Sequence, residues 1–543
     1  MKKLPIVAFL ALLACACSNA ATQVVSDPCK GISEDGVCVG EDKYQACVVD
    51  IDGEQPPELI TFQCESYEKC GVTDGEANCE LRPERCIPGS SRCFSADTIE
   101  LCGEGETWAQ KKCDVSCNEN PLAAYCSLGP AVTALAEKTW TLNYMARDIN
   151  TTTWDRWTDP APVNAAGVLV VSRRGETPLD SVLTGIDGSF KIKVPSPAQA
   201  GDVIAVFPVR PSISASKVGV LMAVANPGLS QEKHNIKDAL LAKSPSFWSW
   251  EFDLTSALPE TLTITEKESS GVMRVFDQLN RLMTSVSDVY NPKGGQPLSI
   301  WMQSNVTWSC GACQWTNASS IAGFDFTRQI YFPMDPENEG YWSLAVNSHE
   351  FGHYVMSSWG TTPGEGGQHC FSKHYPPGLV WSEGWATWHS AESRRDTGYG
   401  KIYYSKQRGS FFTFDIQARQ YSSGRQWVRP TPGEGLLQNM DENEVSAMGW
   451  SMTSGQVTKG SFFNALASQR MMTSPFKRGY KTHKWDVDAD CEAVDIRETD
   501  RSAPMFADFL DALVCGGTQA ALVDAATEPA KYYPYPSSNP ICQ

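Results

Sequence analysis

The chain has 543 residues, 42% of them hydrophobic, with 20 cysteines and a net charge of −18. One hydrophobic core rarely organises a chain of this length, so the sequence predicts several domains. The acidic balance argues against a nucleic-acid partner, because binding to a phosphate backbone needs clustered lysine and arginine. The charge is concentrated in residues 27–126, which hold 21 acidic and 8 basic side chains.

The first residues are typical of an export signal. Met1-Lys2-Lys3 supplies positive charge, and the apolar run from Leu4 to Ala14 is too short to span a membrane. Leu12-Leu13-Ala14-Cys15 resembles a bacterial lipobox, whose cysteine is lipidated. Cys17 is the alternative, since its use would leave 18 cysteines, an even number for disulfides. We therefore predict a lipoprotein signal peptide over residues 1–17 and a bacterial outer-membrane or cell-surface lipoprotein, with simple secretion as the alternative; the lipid anchor is the only membrane contact expected.

Two cysteine-rich modules are expected next, at residues 27–80 and 81–128. Two sets of six cysteines have similar spacing, which indicates a duplication. The sets are Cys29, Cys38, Cys47, Cys64, Cys70 and Cys79, then Cys86, Cys93, Cys102, Cys113, Cys117 and Cys126. Modules this small depend on disulfides, but six cysteines permit 15 connectivities and the spacing does not choose among them. A binding module and an acidic stalk without a ligand both fit the composition.

Residues 139–265 have the short alternating runs of a β-rich domain. Strands are predicted at 167–172, 189–194 and 202–207, and Asp187-Gly188 predicts a hairpin turn. The stretch Thr184-Gly-Ile-Asp-Gly-Ser-Phe190 loosely resembles the prealbumin-like β-sandwich found beside carboxypeptidase domains. That resemblance implies a rigid accessory domain without catalytic residues.

Residues 270–543 have a mixed α+β pattern. Apolar spacing predicts a helix over 272–289, and strands are predicted at 298–302 and 329–332. A strand directly before the next helix could present an open edge to an extended peptide.

The most informative motif is His349-Glu350-Phe351-Gly352-His353. Residues four apart share a helix face, so His349 and His353 can bind one metal ion while Glu350 points into the same pocket. Zinc in a hydrolytic site takes three protein ligands, and Glu383 in Trp381-Ser-Glu-Gly-Trp-Ala386 is our candidate for the third. His369, His374 and His389 are the competing ligands.

These residues resemble the gluzincin metallopeptidases, whose third ligand is a glutamate on a later helix. The 29 residues between His353 and Glu383 and the W-x-E-G-x-A setting are most similar to the bacterial collagenase-like branch. The resemblance covers residues 343–394 and implies a zincin-like domain with one catalytic zinc. Members of this group usually place an acid four residues after the glutamate ligand, where this chain has Thr387, and add a Tyr or His that stabilises the oxyanion. Tyr403, Tyr404, Tyr421 and His483 are candidates for that second role.

The sequence therefore predicts a zinc metallopeptidase that hydrolyses protein or peptide substrates, with Glu350 as general base for attack by zinc-bound water. Endopeptidase action is favoured because no G-x-M-x-N-like exopeptidase motif is present. The alternatives are a non-catalytic adhesin on the same fold and a zinc hydrolase of non-peptide bonds. Oligomeric state is left open.

Three other motifs have simpler explanations. Asn439-Met-Asp-Glu442 fits a capping box, with Asn439 as the N-cap of the helix that follows, although one of the acids Asp441, Glu442 and Glu444 could also support the site. Asp486-x-Asp488-x-Asp490 resembles the start of a calcium loop, but Cys491 and Arg497 replace its glycine and glutamate, so an EF-hand is excluded and only a looser calcium site remains as an alternative. Cys310-Gly-Ala-Cys313 is expected to be a structural disulfide.

Overall fold

The fold is that of a computed structural model, in which part of the chain is described. The described residues are 37–48, 58–63, 68–73, 76–81, 91–102, 107–113, 117–119, 124–126 and 134–542 apart from 176, 215–216, 231–232, 243–244, 291–295, 323, 364–368, 370–372, 423, 425–426, 428, 431–434, 437, 473–482, 488–492, 499–503, 528–532, 536 and 539. The predicted signal peptide, with Cys15 and Cys17, lies outside them. No helix within these ranges is long and apolar enough to cross a membrane.

The chain divides into two compact units, residues 1–90 with 101–109 and residues 91–100 with 110–543. The strands of the cysteine-rich region are β1 (Val37–Cys38), β2 (Lys43–Val48), β3 (Glu58–Gln63), β4 (Glu68–Thr73), β5 (Glu76–Leu81), β6 (Ser91–Ser95), β7 (Thr98–Cys102), β8 (Trp108–Lys112), β9 (Cys117–Glu119) and β10 (Ala124–Cys126). In the first unit, β1, β2 and β3 form an antiparallel sheet and β4 pairs with β5. In the second unit, β9 pairs with β10.

The two cysteine sets are joined in an equivalent way. Disulfides Cys38–Cys70 and Cys93–Cys117 each link the second and fifth cysteines of their set. The fifth and sixth cysteines of each set are also register partners in an antiparallel strand pair, Cys70 with Cys79 and Cys117 with Cys126. This equivalence supports the predicted duplication, while the boundaries 27–80 and 81–128 stay predictions.

Eight of the next twelve strands build two sheets in the second unit. The twelve are β11 (Leu135–Ala146), β12 (Ala161–Asn164), β13 (Leu169–Arg174), β14 (Thr177–Leu183), β15 (Ser189–Pro195), β16 (Asp202–Phe207), β17 (Val209–Ser214), β18 (Lys217–Asn226), β19 (Lys233–His234), β20 (Ser246–Phe247), β21 (Trp250–Asp253) and β22 (Thr261–Ile264). One sheet has the order β12-β11-β15, with β22 also paired to β11, and the other has the order β14-β13-β16-β21. Alternate side chains point inward, as at Phe190, Ile192 and Val194 of β15, so apolar residues of both sheets share one core.

The turn at Asp187-Gly188 exists, but the predicted hairpin is wrong. Gly188 has a φ of +76°, and its N–H donates to the Gly185 carbonyl. The flanking strands β14 and β15 pair with β13 and β11 respectively, so the turn carries the chain from one sheet to the other. A local turn signal fixes the reversal of the chain, whereas the pairing of the strands depends on distant residues.

A mixed sheet lies beside the candidate site. The later strands are β23 (Leu298–Trp301), β24 (Thr307–Trp308), β25 (Cys313–Trp315), β26 (Ser319–Ile321), β27 (Phe324–Phe326), β28 (Arg328–Tyr331), β29 (Ile402–Gln407), β30 (Ser410–Asp415), β31 (Gln420–Tyr421), β32 (His483–Val487) and β33 (Ala493–Glu498). The sheet order is β17-β18-β23-β28-β25, with β18, β23 and β28 parallel and β25 antiparallel to β28. The strand before the motif helix, β28, is therefore interior, and the expectation that it forms an open edge is wrong; β25 ends the sheet on that side.

Nine α-helices lie within the described ranges. They are α1 (Ile236–Leu240), α2 (Ser270–Tyr290), α3 (Leu344–Trp359), α4 (Pro377–Ser393), α5 (Glu442–Ser454), α6 (Lys459–Leu466), α7 (Gln469–Met472), α8 (Phe506–Cys515) and α9 (Ala520–Thr527). The helix and strands predicted between 272 and 332 are confirmed to within two residues. The molecule is multidomain, with many β-sheets, helices and disulfides, as expected.

One hydrophobic core spans the predicted boundary near residue 265. Tyr144 and Val170 of the β-rich segment belong to the same buried cluster as Phe276 of α2 and Phe351 of α3. Strand β18 also pairs with β23 across that boundary. The boundaries 139–265 and 270–543 stay predictions, but the two segments share both a sheet and a core.

Candidate metal centre

Helix α3 presents the H-E-x-x-H motif from a well-defined start. Ser343 is its N-cap, and the Ser343 hydroxyl accepts from the N–H groups of Ala345 and Val346. The same hydroxyl donates to the Tyr404 carbonyl, which ties the start of α3 to β29. His349 and Glu350 follow in the middle of the helix and are buried.

Helix α4 lies against α3 at unusually close range because of Gly352. A Cβ atom at Gly352 would fall 2.8 Å from the Ala386 Cα, which is closer than side-chain carbons approach. The Trp385 indole N–H also donates to the Gly352 carbonyl at 3.0 Å. The glycine inside the motif and the W-A pair of α4 therefore bring the two helices together beside the histidines.

Three donor atoms converge between these helices. His349 Nε2 lies 3.1 Å from Glu383 Oε2 and 3.2 Å from His353 Nε2, and His353 Nε2 lies 3.2 Å from the same carboxylate oxygen. Zinc bonds of about 2.0–2.1 Å in a tetrahedron place ligand atoms roughly 3.3 Å apart. This largely buried group can hold a metal ion, and its size and mix of nitrogen and oxygen fit zinc. All three sequence-predicted ligands are thus brought together.

The second nitrogen of each histidine meets a hydroxyl group of α4. His349 Nδ1 lies 3.1 Å from Thr387 Oγ1, and His353 Nδ1 lies 3.3 Å from Ser382 Oγ. Thr387 occupies the position where the metallopeptidases that the sequence resembles usually have an acid. The Thr387 hydroxyl contacts His349 of the donor group, so a neutral group replaces the acid at this position.

Glu350 lies beside the donor group with a free carboxylate oxygen. Its Oε2 is buried and meets no hydrogen-bond partner among the described residues. Burial raises the pKa of Glu350, an effect that the nearby His349 and His353 oppose. A buried carboxylate oxygen without a partner is costly, so its position indicates a ligand or water that completes the site.

The carboxylate of Glu383 has the opposite electrostatic character. Burial by itself raises the pKa of Glu383, but His353 and His369 hold it well below its ordinary value. Glu383 is therefore the more acidic of the two carboxylates and suited to bind a cation, whereas Glu350 is the more basic one.

Two of the three competing histidines lie away from the donor group. His389 faces the α3 backbone, where its Nδ1 lies 3.1 Å from the Ser348 carbonyl, and burial lowers its pKa to about 4. His374 Nε2 lies 3.0 Å from the Arg429 carbonyl. Neither is a ligand in this arrangement.

His369 is the third and lies at the edge of the site. Its Nε2 is 3.6 Å from Glu383 Oε2, and its Nδ1 is 2.8 Å from Glu442 Oε2. Burial lowers the pKa of His369, but Glu442 and Glu383 outweigh this and raise it to about 10. His369 is thus a cationic, partly exposed neighbour of the donor group. The sequence had suggested it only as a competing ligand.

Glu442 joins the site because α5 packs closely on α4. A helix does begin here, but its N-cap is Asp441 rather than Asn439, and the Asp441 side chain accepts from the Asn443 N–H. A Cβ at Gly384 would fall 2.5 Å from the Val445 Cβ and 2.8 Å from the Glu442 carbonyl, so this glycine permits the approach. Asp441 thus begins the helix, and Glu442 contacts His369 at the edge of the site. Glu444 pairs with Arg419 instead.

Of the four oxyanion candidates, Tyr403 contacts a histidine of the donor group through its ring. Its ring lies edge-on to the His349 ring, with centroids 5.9 Å apart. Burial raises the pKa of Tyr403, and the charge of Glu350 adds to this. Tyr404 packs against Trp154 and Trp157, and the Tyr421 hydroxyl accepts from Asn443. The side chain of His483 lies outside the described part.

The remaining motifs have mixed outcomes. Cys310–Cys313 is a disulfide, as expected, and Cys515–Cys542 is another. The central part of the calcium motif, with Asp488, Asp490 and Cys491, lies outside the described residues, as does Cys370. Within the described ranges, the group formed by His349, His353 and Glu383 is the only His, Cys, Asp and Glu cluster with metal-binding geometry.

Comparison with known proteins does not extend this description. No family model and no curated protein matches the chain significantly. The function is therefore inferred from the geometry of the site and from the residues that form it.

Proposed function

We propose that the chain is an exported zinc metallopeptidase of gluzincin type that hydrolyses internal peptide bonds of protein or peptide substrates. The observation that carries the proposal is the convergence of three donor atoms within 3.2 Å next to a buried glutamate oxygen that has no partner among the described residues. This combination does not stabilise a purely structural helix pair. It directs lone pairs and a buried carboxylate oxygen toward one point, whereas buried polar groups normally have hydrogen-bond partners.

The metal would be held by His349, His353 and Glu383. When bound, zinc supplies a Lewis acid that lowers the pKa of water and polarises the scissile carbonyl. Glu350 removes the proton of the attacking water at its free carboxylate oxygen and passes it to the leaving amine. The raised pKa of Glu350 suits this exchange, because a base must release the proton it has taken.

Tyr403 and His369 are the groups placed to stabilise developing negative charge. Tyr403 contacts the His349 ring, and His369 is held by Glu442 beside Glu383. Each offers a hydrogen-bond donor, and such donors act on the oxyanion more than on the substrate carbonyl. We assign His369 the larger part because Glu442 holds its Nδ1 at 2.8 Å while its Nε2 lies at the donor group, 3.6 Å from Glu383 Oε2.

The substrate would lie along β25. This strand ends the mixed sheet, and the Gln314 side chain reaches Ser357 of α3. Trp315 is also 43% exposed on the same strand. An extended peptide could add to this edge through main-chain hydrogen bonds, with Trp315 offering an apolar contact.

Export is supported by the disulfides of the described part. Cys38–Cys70, Cys93–Cys117, Cys310–Cys313 and Cys515–Cys542 all require an oxidising compartment to persist. Together with the lipobox-like segment, they favour a location at the bacterial surface.

The test compares the full chain with its Glu350→Gln variant. We expect the wild-type chain to bind one zinc ion and to degrade a denatured protein. Loss of the base should lower the cleavage rate by about 10²–10⁴-fold while zinc stays bound. Glu337→Gln, a change at an exposed glutamate, is the control and should leave the rate unchanged.

Three results would contradict the proposal. Equal cleavage by Glu350→Gln would exclude the mechanism, and a wild-type chain without zinc would exclude the site. Zinc binding with no cleavage of any protein or peptide would favour an adhesin or a hydrolase of other bonds.

A further inference from the structure

The histidine ligands are oriented by the same helix that supplies the glutamate ligand. Ser382, Glu383 and Thr387 all belong to α4. Thr387 lies four residues after Glu383 and so shares its helix face, while Ser382 directly precedes it. One helix thus contacts both nitrogens of His349 and of His353, through Glu383 at Nε2 and through a hydroxyl at Nδ1.

We propose that Thr387 and Ser382 are positioning residues that set the affinity of the centre for its metal, by fixing the tautomer and ring orientation of the two histidines. The proposal rests on the proposed metal site. A histidine that binds metal through Nε2 must carry its proton on Nδ1, and that proton needs an acceptor. The hydroxyl oxygens of Thr387 and Ser382 lie at the required places, at 3.1 and 3.3 Å.

The surroundings make Thr387 the more important of the two. Its side chain is buried, so water cannot replace the hydroxyl as acceptor if it is removed. The contact of Gly352 with Ala386 also fixes the register of α4 one residue before Thr387. Ser382 is only half-buried and makes the longer contact, and water can substitute for it.

The groups that contact the Nδ1 atoms of the two histidines are uncharged, because Thr387 and Ser382 carry hydroxyl groups. A carboxylate at either place would add negative charge next to the donor group and make the imidazole more basic. Hydroxyl groups orient the rings without that charge. The centre therefore keeps the positive charge of the metal less compensated than a carboxylate partner would leave it.

The test measures zinc affinity of the full chain by competition with a chromogenic chelator. Thr387→Val keeps the shape and removes the acceptor, and we expect zinc to bind about 10–100-fold more weakly. Thr387→Ser restores a hydroxyl and should bind zinc as the wild type does. Ser382→Ala should weaken binding by less than Thr387→Val.

Ser390→Ala is the matched control. Ser390 is another buried α4 hydroxyl, but it donates to the Ala345 carbonyl of α3, away from the ligands. We expect its zinc affinity to be unchanged. Thermal unfolding of each metal-free variant shows whether the fold is kept, and Ser382→Ala provides an independent variant if Thr387→Val unfolds.

The outcomes separate this inference from the proposed function. If the wild type binds no zinc, the metal site itself is wrong. If the wild type binds zinc but folded Thr387→Val binds it equally well, the positioning role alone is wrong. An equal loss in Ser390→Ala, or no recovery in Thr387→Ser, would also overturn it, because packing would then explain the effect.

Discussion

The two motif histidines lie four residues apart on α3, and this spacing brings their Nε2 atoms to 3.2 Å from each other. A local helix is enough to predict that contact from the sequence. Glu383 is different, because 29 residues separate it from His353 and only the resemblance to gluzincins pointed to it. The structure places it with the histidines through the packing of α4 on α3.

Glu442 and His369 show why the rest of the site could not be predicted. Glu442 follows a helix cap, which accounts for an acid there without any function. His369 is in a segment with no hydrophobic periodicity, so nothing local indicated its partner. Their 2.8 Å contact depends on the packing of α5 against α4, which the sequence does not reveal.

Removal of the His369 side chain tests its assignment as an oxyanion donor. We expect His369→Ala to lower kcat by about 10²-fold, with KM and zinc affinity nearly unchanged, because the lost hydrogen bond forms mainly in the transition state. The affinity for a phosphonate peptide, which mimics the tetrahedral intermediate, should fall in parallel. Steady-state kinetics and inhibition constants give these values.

His374→Ala is the control for this prediction. His374 contacts a backbone carbonyl away from the donor group, so its loss should leave kcat and phosphonate affinity unaltered. A change in KM with kcat unaltered would show that His369 does not act on the transition state. Equal losses of kcat in both variants would show the same.

His389 gives the protein a pH-dependent stability. Burial lowers its pKa from 6.5 to about 4, so between these values the unfolded chain binds a proton that the folded chain does not. The stabilising contribution is present above pH 6.5 and is lost as the pH falls toward 4, by on the order of 3 kcal/mol in total. His389→Asn keeps a donor for the Ser348 carbonyl but does not titrate.

Urea unfolding of the metal-free protein at several pH values measures this contribution. The free energy of unfolding should fall less steeply from pH 6.5 to 4 in His389→Asn than in the wild type, whatever the absolute stability of the variant. Parallel pH profiles would show that His389 is protonated in the folded state.

At the scale of elements, glycine determines how the site helices meet. Gly352 lies at the contact of α3 with α4, and Gly384 at the contact of α4 with α5. Hydrophobic periodicity predicted that helices exist here, but helix packing depends on which faces meet. Which faces meet depends on the shapes of residues far apart in the sequence. Strand pairing depends on distant residues in the same way, so the edge position of β25 and the change of sheet at Gly188 were not predicted.

Gly352→Ala should separate α3 from α4. Its Cβ would meet the Ala386 Cα at 2.8 Å, where backbone must move, so we expect a loss of about 1–3 kcal/mol in the free energy of unfolding and weaker zinc binding. Gly460→Ala is the control, because its Cβ would meet nothing closer than 3.7 Å and helix propensity favours alanine. Equal stability and zinc affinity in the two variants would contradict the close contact.

At the scale of the whole molecule, the site depends on a core larger than the segment that carries the motif. Strand β18 precedes residue 265 yet pairs with β23, and the buried cluster runs from Trp140 to Tyr535. Composition and cysteine spacing predicted the order of the segments along the chain. The sharing of a sheet between segments could not be predicted, since it follows from long-range pairing.

Anomalous diffraction from crystals of the full chain loaded with zinc tests the central claim most directly. The account predicts one strong zinc peak at about 2.0–2.2 Å from His349 Nε2, His353 Nε2 and a carboxylate oxygen of Glu383. A peak bound by other residues, or no peak at these three side chains in a zinc-saturated crystal, would contradict the account.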